Sequence, residues 1–492
     1  MFAIDINWAN PWVLLLAVIV VAFSFTIIST VGVIILENRS PAKTIAWTLV
    51  LVFLPLVGIW FYIFFGRNFR RNKLFSRKSL ADIKRIHSFS QDSFLQLPDE
   101  RALVAARAQN KQNIMTLLFN NSKALLTEKN QVRILHNGKE TFDAILDALQ
   151  AARHHIHLEY YIIEDDKIGN TIREMLIQKA QEGVEVRLIY DSVGSWELSD
   201  AYIDSLKKGG VAVFSFMPVR FPRFASRVNY RNHRKIIVVD GKTAFVGGLN
   251  IGDRYINGEP GLGFWRDTHL EISGESASCL QTVFFTDWYF ASKQLLEPSL
   301  AYFPVHAIAE STLVQIVTSG PDSDWATIMQ AYFAAITTAS DYIYISTPYF
   351  IPNESISTAL KTAAMSGIDV RIMLPGRSDS RILLRASYSY IEEFLEAGVR
   401  FYLYEKGFNH GKLMMVDGVF ASVGTANLDI RSFDQNFEVN ALIYDADIAS
   451  ELERAFREDV QDSRELELET FQRRPRANKR KESLARLLSP LL

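Results

Sequence analysis

The same arrangement of polar residues occurs twice in this chain of 492 residues. Residues 230–250 read YRNHRKIIVVDGKTAFVGGLN, and residues 407–427 read GFNHGKLMMVDGVFASVGTAN. Both segments carry Asn, His, Lys, Val-Asp-Gly, Val-Gly and Asn at equivalent positions, and the offset from His233 to His410 is 177 residues. Because the polar residues repeat while the apolar residues around them vary, the pattern predicts two copies of one structural unit.

The repeat continues on both sides of this segment. The further matches are GVEVRLIYD at 183–191 with GIDVRIMLP at 367–375, GGVAVFSF at 209–216 with AGVRFYLYE at 397–405, and FWRDTHLEI at 264–272 with NFEVNALIY at 436–444. Each half reads as strand, helix, strand, helix, strand, then the histidine-containing strand and another strand. This alternation predicts an α/β fold, a duplicated α/β sandwich with mixed sheets. A pseudo-twofold axis between the halves would bring the two motifs together.

Each copy contains the spacing His-x-Lys-x4-Asp, and an asparagine follows each histidine by 17 residues. Residues at positions i and i+2 of a strand lie on one face. We therefore expect an imidazole and an ammonium group to point together into a cleft. The candidate site residues are His233, Lys235, Asp240 and Asn250 in the first copy, and His410, Lys412, Asp417 and Asn427 in the second.

This set of side chains suits the transfer of a phosphodiester. The reaction needs a nucleophile, an acid for the departing oxygen, and cations for the other phosphate oxygens. Two histidines can divide the first two roles, and the lysines and asparagines can hold the oxygens without a metal ion or another cofactor. Asp267 and Glu438 occupy equivalent places after the motifs. They are candidates for the acids that orient the imidazoles.

Two other interpretations of these residues stay open. Val-Asp-Gly after an apolar run is also the sequence of a plain hairpin turn, so Asp240 and Asp417 either take part in the chemistry or hold the turn. A metal site would use histidines and aspartates as well, but a cation site does not gather two ammonium groups. We therefore expect no metal ion. The single cysteine, Cys279, excludes a disulfide within the chain and a cysteine-based metal cluster.

With these motifs the chain resembles the phospholipase D superfamily, with both of its HKD motifs complete, and within it the bacterial cardiolipin synthases. The resemblance covers nearly the whole chain and is carried by NRSPAKT, NYRNHRKIIVVDG, GGLNIGDRY, GFWRDTH, VGTANLDIRSF, NFEVNALIYD and the terminal LLSPLL. One departure is Gly411, where that family usually has Ala or Ser, and another is Asn409, where a hydrophobic residue is usual. Because the reactive residues are intact, these departures concern local packing more than activity.

The resemblance implies a reaction in which two phosphatidylglycerol molecules give cardiolipin and glycerol. It also implies that His233 forms a phosphatidyl-histidine and that His410 acts as acid and base, although the nearly symmetric repeats do not separate these roles. A hydrolase or nuclease of the same superfamily is the alternative, and a non-catalytic membrane scaffold is a third. Phosphatidylethanolamine as the second substrate stays open. The sequence does not predict an oligomeric state.

Two uncharged runs stand at the start of the chain, Trp12 to Leu36 with 25 residues and Ile45 to Phe65 with 21. The first would rise about 37 Å as a helix, enough to cross a hydrocarbon core of about 30 Å. We predict a two-helix transmembrane hairpin over residues 1–66. A cleaved signal peptide or a buried core hairpin fits less well, because the first run is long, lacks a basic flank and is followed by a second run.

A basic segment follows the second run. Residues 67–85 hold eight basic residues and one acidic residue, whereas the loop between the runs holds two basic residues, Arg39 and Lys43, and one acidic residue. The positive-inside rule then places everything after Phe65 in the cytoplasm. The resemblance implies the bacterial inner (cytoplasmic) membrane. The expected boundaries are 67–115 for a basic juxtamembrane linker, 116–305 for the first half, 306–470 for the second half and 471–492 for a basic amphipathic tail.

Two further basic regions are candidates for lipid contact. Residues 214–231 interleave aromatic residues with Arg220, Arg223, Arg227 and Arg231, a composition that suits a membrane interface as well as an ordinary packed loop. Arg377, Arg381 and Arg385 are candidates for a second headgroup contact. The tail is either a cationic surface helix that meets lipid or a solvated helix that packs on the second half.

Net charge restricts the partners. The chain has 53 Lys and Arg against 55 Asp and Glu, a net charge of -2. This balance excludes a nucleic-acid binder that relies on whole-molecule charge, and it leaves local basic patches for anionic membrane lipids. Hydrophobic residues make up 48% of the chain, which excludes wholesale disorder.

Overall fold

The computed structural model describes residues 11–36, 41–54, 58, 62, 111–218 and 229–491. The chain forms two compact units, one made of Met1–Phe69 and Arg220–Arg227 and the other of Arg70–Val219 and Val228–Leu492. Three predicted features lie outside the described residues: most of the second apolar run, the basic segment 67–85, and the arginines Arg220, Arg223 and Arg227.

In its described part, the first unit has the helices α1 (Pro11–Leu36) and α2 (Pro41–Phe53). α1 has 26 residues, none of them charged, and extends about 39 Å. Among the described residues it is the one helix long and apolar enough to cross a membrane, over Pro11–Gly32, whereas the apolar part of α2, Thr44–Phe53, is shorter. The first predicted span thus corresponds to a helix of sufficient length, and the two-helix hairpin is not established.

The second unit follows the predicted alternation of strands and helices. Its first part contains α3 (Gln112–Ser122), β1 (Leu126–Thr127), β2 (Asn130–His136), α4 (Asn137–Ala151), β3 (His155–Tyr160), α5 (Lys167–Gln181), β4 (Glu185–Asp191), α6 (Asp200–Lys208), β5 (Ala212–Phe216), β6 (Ile236–Val239), β7 (Thr243–Gly247), α7 (Arg254–Asn257), β8 (Phe264–Arg266), β9 (Thr268–Gly274) and α8 (Glu275–Ser292).

The second part continues with β10 (Val314–Ser319), α9 (Thr327–Thr337), β11 (Tyr342–Ser346), β12 (Phe350–Ile351), α10 (Glu354–Met365), β13 (Asp369–Pro375), α11 (Arg381–Glu396), β14 (Arg400–Tyr404), β15 (Gly407–Asn409), β16 (Leu413–Val416), β17 (Phe420–Gly424), β18 (Leu428–Asp429), α12 (Ile430–Asp434), β19 (Glu438–Ile443), α13 (Ala446–Gln461), β20 (Ser463–Glu465), α14 (Leu468–Gln472) and α15 (Arg476–Arg486). A short 3₁₀ helix, Ser489–Leu491, follows.

The strand orders of the two large sheets, within the described ranges, show the duplication. The first sheet runs β2–β9–β7–β6–β3–β4–β5, and the second runs β1–β10–β19–β17–β16–β11–β13–β14–β20. In each sheet three neighbouring strands are parallel and their other neighbours are antiparallel. The predicted α/β fold with mixed, duplicated sheets is therefore confirmed.

The two sheets pack face to face because their central strands are apolar on both faces. In β6, Ile236 and Val238 lie in a core that also contains Met415 of β16, while Ile237 and Val239 lie in the outer core beneath α4, α5 and α6. Strands buried on both faces do not alternate apolar with polar residues. The motif segments that precede β6 and β16 are thus held at the junction of the halves.

The second sheet and its core include residues that the sequence assigned to other parts of the chain. β1 pairs with β10 in the register Leu126↔Gln315. α3 buries Ile114 and Leu118 in the outer core of the second half. Residues 112–127 therefore pack on the second sheet. The sequence had assigned them partly to the linker (67–115) and partly to the first half (116–305).

The tail docks on α11. Lys479 of α15 lies 2.9 Å from Glu392, and Arg486 lies 2.8 Å from Glu393. Leu484 and Leu487 point outward, with 65% and 75% of their surface exposed. The tail is thus packed on the second half through one face, and its opposite face carries exposed leucines.

Candidate active site

The two motif segments are held by backbone bonds that cross from one half to the other. β15 runs parallel to β8, in the register Asn409↔Arg266, and Asn232 forms a parallel bridge with Phe437. The amide of His410 donates to the carbonyl of Arg266 at 2.7 Å, and the amide of His233 donates to that of Phe437 at 2.9 Å. Each histidine is therefore fixed against the segment that carries the acid of the other half.

Each imidazole bonds a carboxylate from the opposite half. Nδ1 of His233 lies 2.9 Å from Oε2 of Glu438. Nδ1 of His410 lies 2.8 Å from Oδ2 of Asp267. Asp267 and Glu438 are fully buried, while both histidines keep 8% of their surface exposed. The predicted acidic partners are thus brought to the imidazoles, and the structure adds that the partners are exchanged between the halves.

Burial sets the charge of the imidazoles. It lowers the pKa of His233 to about 4 against the opposing effect of Glu438, and it lowers the pKa of His410 to about 4 together with Lys412. Both rings are therefore neutral at neutral pH. Because a carboxylate only accepts hydrogen bonds, Nδ1 of each ring carries the proton, and Nε2 keeps its lone pair.

The two acids stay ionised. Burial alone would raise the pKa of Glu438 and of Asp267, but their bonds to the imidazoles and the nearby lysines overcome burial and lower both pKa values. Thr425 and Asn436 also donate to Glu438. The amide of Thr268 donates to Asp267 at 2.8 Å. Each carboxylate is thus held in place to orient its ring.

The lysines fold back onto their own motif. Nζ of Lys235 donates to the carbonyl of His233, and Nζ of Lys412 donates to that of His410, both at 2.7 Å. The expectation that His and Lys lie on one face of a strand is wrong in detail, because in each half both residues precede the strand, β6 or β16, in an irregular segment. The lysine bond to the carbonyl, not the strand pleat, keeps each ammonium beside its histidine.

Charges from both halves act on each lysine. Burial lowers the pKa of Lys235 to about 7 and of Lys412 to about 8. Glu438 and Asp267 oppose this change at both lysines, and the Lys412 charge adds to it at Lys235. The two lysines, the two histidines and the two acids therefore form one electrostatic site.

Asp240 and Asp417 lie elsewhere. Both follow the strands that begin after the motif lysines, at φ of 54° and 55°. Asp240 accepts from the backbone amides of residues 153–155 at 2.7–2.9 Å. Asp417 accepts from the amides of residues 340–342 and from Lys111. The structure does not bring them to the imidazoles, so of the two interpretations it favours the one in which they hold the turn.

The asparagines occupy equivalent turns. Asn250 accepts from the amide of Ile162 at 3.3 Å and donates to the hydroxyl of Tyr255 at 2.7 Å. Asn427 is 7% exposed, and its Oδ1 has no hydrogen-bond partner within the part of the chain that the structure describes.

The arginines predicted to contact a second headgroup, Arg377, Arg381 and Arg385, are exposed, the last two at the start of α11.

Two buried ion pairs and one buried hydrogen bond support the first motif, and the sequence analysis did not predict them. Arg231 pairs with Asp191 at 3.2 Å, Arg234 pairs with Asp287, and Asn232 donates to Glu159. A usable signal was a charged residue within an apolar strand, as at Glu159 in HIHLEY and Asp191 in EVRLIYD. Aromatic rings complete the walls: Tyr161 lies 4.9 Å from His233 and Trp265 lies 5.5 Å from His410, measured between ring centroids.

For a metal ion the described residues offer no group of three or more His, Cys, Asp or Glu in a suitable arrangement. The nitrogens that face the site belong to paired histidines and lysines.

Two similar α/β halves that meet at this paired site define a phospholipase D-like protein.

Comparison with known proteins narrows the class. A family model described as cardiolipin synthase, PLD-like domain, matches residues 145–284 and 332–460, and one described as phospholipase D-nuclease N-terminal matches residues 12–67. The cardiolipin synthase of Geobacillus sp. (strain WCH70) is 46% identical over 96% of this chain and 93% of its own length. Cardiolipin synthase 2 of Bacillus anthracis is 47% identical over 94% and 89%.

A solved structure is similar in fold. The phosphatidylserine synthase of Haemophilus influenzae Rd KW20 matches with a TM-score of 0.60 at 16% identity, over 77% of this chain and 100% of that one. The protein belongs to the cardiolipin synthase family of phospholipase D-like proteins.

Proposed function

We propose that this protein is a phosphatidyltransferase that joins two phosphatidylglycerol molecules into cardiolipin and releases glycerol. The observation that carries the proposal is the shared site, in which two neutral imidazoles are each oriented by a carboxylate from the opposite half. Its place in a chain of the cardiolipin synthase family selects phosphatidyl transfer among phosphodiester reactions.

In the first half-reaction, Nε2 of His233 attacks the phosphorus of one phosphatidylglycerol. The P–N bond forms as the bond from phosphorus to the glycerol oxygen breaks. His410, protonated on both nitrogens, gives its Nε2 proton to that oxygen, and glycerol leaves. The bound phosphodiester anion favours this protonated form, and Asp267 stabilises it. Glu438 stabilises the positive charge on the phosphorylated ring of His233.

In the second half-reaction, the terminal hydroxyl of another phosphatidylglycerol gives its proton to Nε2 of His410 and attacks the phosphorus. The P–N bond breaks, and His233 returns as a neutral ring. Lys235 and Lys412, with the amides of Asn250 and Asn427, would hold the oxygens that do not react. No step requires a metal ion, and the paired ammonium groups support that view.

The same proposal places the reaction at the bacterial cytoplasmic membrane. The apolar α1 supports membrane attachment, and the basic segment 67–85 supports a catalytic unit on the cytoplasmic side, with a second span within residues 45–65. Exposed Arg381 and Arg385, one turn apart on α11, would meet lipid phosphates, as would Arg220, Arg223 and Arg227. The substrates are then anionic lipids of that membrane.

The test uses the full chain in phosphatidylglycerol liposomes with EDTA present. We expect cardiolipin and glycerol in equal amounts. Phosphatidic acid alone would instead identify a hydrolase, and no turnover across anionic lipids would identify a scaffold. Loss of all activity in EDTA would point to a metal mechanism. Adding phosphatidylethanolamine to the liposomes shows whether it replaces the second phosphatidylglycerol.

The roles of the histidines are tested separately. His233→Ala and His410→Ala should each abolish synthesis, because attack and proton transfer are both required. Only His410→Ala should retain a lipid-labelled enzyme, which is trapped by denaturing the samples in alkali because the P–N bond of a phosphohistidine is labile in acid. Near-normal turnover of either variant would contradict the two-histidine mechanism.

A further inference from the structure

The site is symmetric in its reactive residues but not at its two mouths. β4 and β13 are equivalent parallel strands, and the loops that follow them, residues 192–199 and 376–380, differ in length and chemistry. A phosphodiester with acyl chains on one side and glycerol on the other is itself asymmetric. The difference between the loops therefore bears on which side each part of the substrate takes.

The mouth beside His233 has an aromatic wall, and its loop carries the exposed Glu197. The ring of Tyr161 meets His233 edge-on, with centroids 4.9 Å apart. The loop 192–199 packs directly on Tyr161, since a Cβ added at Gly194 would lie 2.3 Å from the Tyr161 carbonyl oxygen. Two residues further on, Trp196 is 77% exposed.

The mouth beside His410 also has aromatic rings, with Trp265 at 5.5 Å and Phe408 at 5.8 Å between ring centroids, and it differs in having a tyrosine–aspartate pair. The hydroxyl of Tyr349 donates to Oδ2 of Asp379 at 2.6 Å, and Asp379 is exposed in the loop 376–380. The pairing Phe350↔Leu428 sets Tyr349 level with Asn427. In the first half the bridge Ile163↔Ile251 sets Ile162 at the equivalent place. A phenol with a carboxylate thus stands on one side where the other side has an isoleucine.

A free carboxylate beside a phosphodiester site is unfavourable, because it repels the bound anion. The charge of Asp379 nevertheless acts on Lys412 within the site. Asp379 accepts from Tyr349 at Oδ2 and from the hydroxyl of Ser378 at Oδ1, 3.3 Å away. Each carboxylate oxygen keeps a further acceptor position, and a neighbouring pair of hydroxyl groups would fill these positions. Asn427 adds a buried Oδ1 that has no partner among the described residues.

We propose that Tyr349 and Asp379 form a hydroxyl-binding subsite beside His410, which holds the glycerol part of the substrate. In the first half-reaction it holds the departing glycerol, and in the second it holds the glycerol part of the accepting lipid. The inference rests on the proposed transferase function and extends it. It also gives a structural reason for the roles of the histidines, because glycerol beside His410 leaves His233 in line for attack from the opposite side.

A competition assay tests the subsite. Phosphatidylglycerol liposomes are given labelled glycerol and 1-butanol together, and the ratio of labelled phosphatidylglycerol to phosphatidylbutanol is measured. Both alcohols react with the same intermediate, so the ratio depends on the second step alone. We expect Asp379→Asn and Tyr349→Phe to lower the ratio by about 10-fold, the effect of losing one hydrogen bond to a charged group.

Tyr344→Phe is the matched control, because it removes another tyrosine–aspartate bond, 3.0 Å to Asp369, in the core between the sheets. It should leave the ratio unchanged. An unchanged ratio in Asp379→Asn, an exposed position where folding is not at risk, would overturn the subsite. If the unaltered protein exchanged glycerol but made no cardiolipin, the proposed function would fail while the subsite would stand.

Discussion

Nδ1 of His233 and Oε2 of Glu438 lie 2.9 Å apart although 205 positions separate them in the chain. Asp267 and His410 form the reciprocal pair across 143 positions. Each ring therefore depends on a carboxylate that the other half supplies, and the halves work as one site.

Removing either acid should slow the reaction without unfolding the protein. Glu438→Gln and Asp267→Asn keep the shape of the side chain but present an amide, which no longer fixes the tautomer or stabilises the charged ring. By analogy with triad acids we expect rates lowered by about 10²–10⁴-fold. Initial rates of cardiolipin formation measure this effect. The control is Glu453→Gln, because Glu453 bonds Tyr342 and no described residue of the candidate site. Rates within about threefold of the unaltered protein would show that the acids do not act through the rings.

Two glycines near the site should differ sharply in tolerance. A Cβ at Gly248 would lie 2.2 Å from Oδ1 of Asp267, whereas one at Gly411 would lie 3.3 Å from the nearest side-chain atoms. Gly248→Ala should displace Asp267 and lower activity by at least about 10-fold. Gly411→Ala should keep activity, in line with the Ala or Ser that the family usually has there. Equal activities for the two variants would contradict this account of how Asp267 is placed.

Asp417 should matter for stability rather than chemistry. Lys111 is 1% exposed and lies 2.9 Å from Asp417, so Asp417→Asn leaves a buried ammonium without its counter-charge. We expect a loss of about 3–5 kcal/mol, seen as a lower midpoint of thermal unfolding in detergent. The double variant Lys111→Met with Asp417→Asn should recover part of it. A reduced rate per folded molecule would instead indicate a role in the reaction.

Acid should destabilise the fold before its carboxylates titrate. Burial lowers the pKa of His155, His233, His269 and His410 to about 4, and that of His157 well below its usual value. In the unfolded chain each titrates near 6.5. The unfolded state then binds more protons between pH 6.5 and 4, so stability falls as the pH falls. Burial also lowers the pKa of His136 and His306, which adds to the trend. The carboxyl groups whose pKa burial raises oppose it: Asp429, with its pKa raised to about 6, and Glu159, Glu164, Asp459 and Glu482.

The unfolding midpoint at pH 7, 6 and 5 measures this dependence. His269→Asn should weaken the pH dependence of the midpoint by the contribution of one histidine. Asparagine is the chosen replacement because Asn440 takes the equivalent place in the second half. A midpoint that does not change between pH 7 and 5 would show that the buried histidines do not control acid stability.

The sequence predicted the duplicated sheets and the histidines and lysines that meet at the candidate site, because both depend on local spacing. The apolar runs after Lys235 and Lys412 indicate central strands, and the offset of 177 residues within the two motif segments indicates a symmetric pairing. The equivalent positions of Asp267 and Glu438 were visible as well. Which half each acid serves was not, because that depends on how the sheets face each other.

Other features depend on packing that leaves no periodic signal. Short β1 reaches the second sheet because β10 offers it a free edge, and two residues carry no pattern. Tyr349 and Asp379 meet only because β12 lies beside β18 and the loop after β13 returns over it. Neither side chain is repeated in the other half, where Ile162 takes the place of Tyr349, so a search based on repetition passes over both.

The reciprocal carboxylates also bear on symmetry. One half alone would lack the carboxylate that its ring bonds here, so only a self-complementary pair of such halves would complete both imidazole–carboxylate pairs. With both halves in one chain, that association is permanent. The two entrances of the site then need not be identical, and each can suit a different part of a lipid.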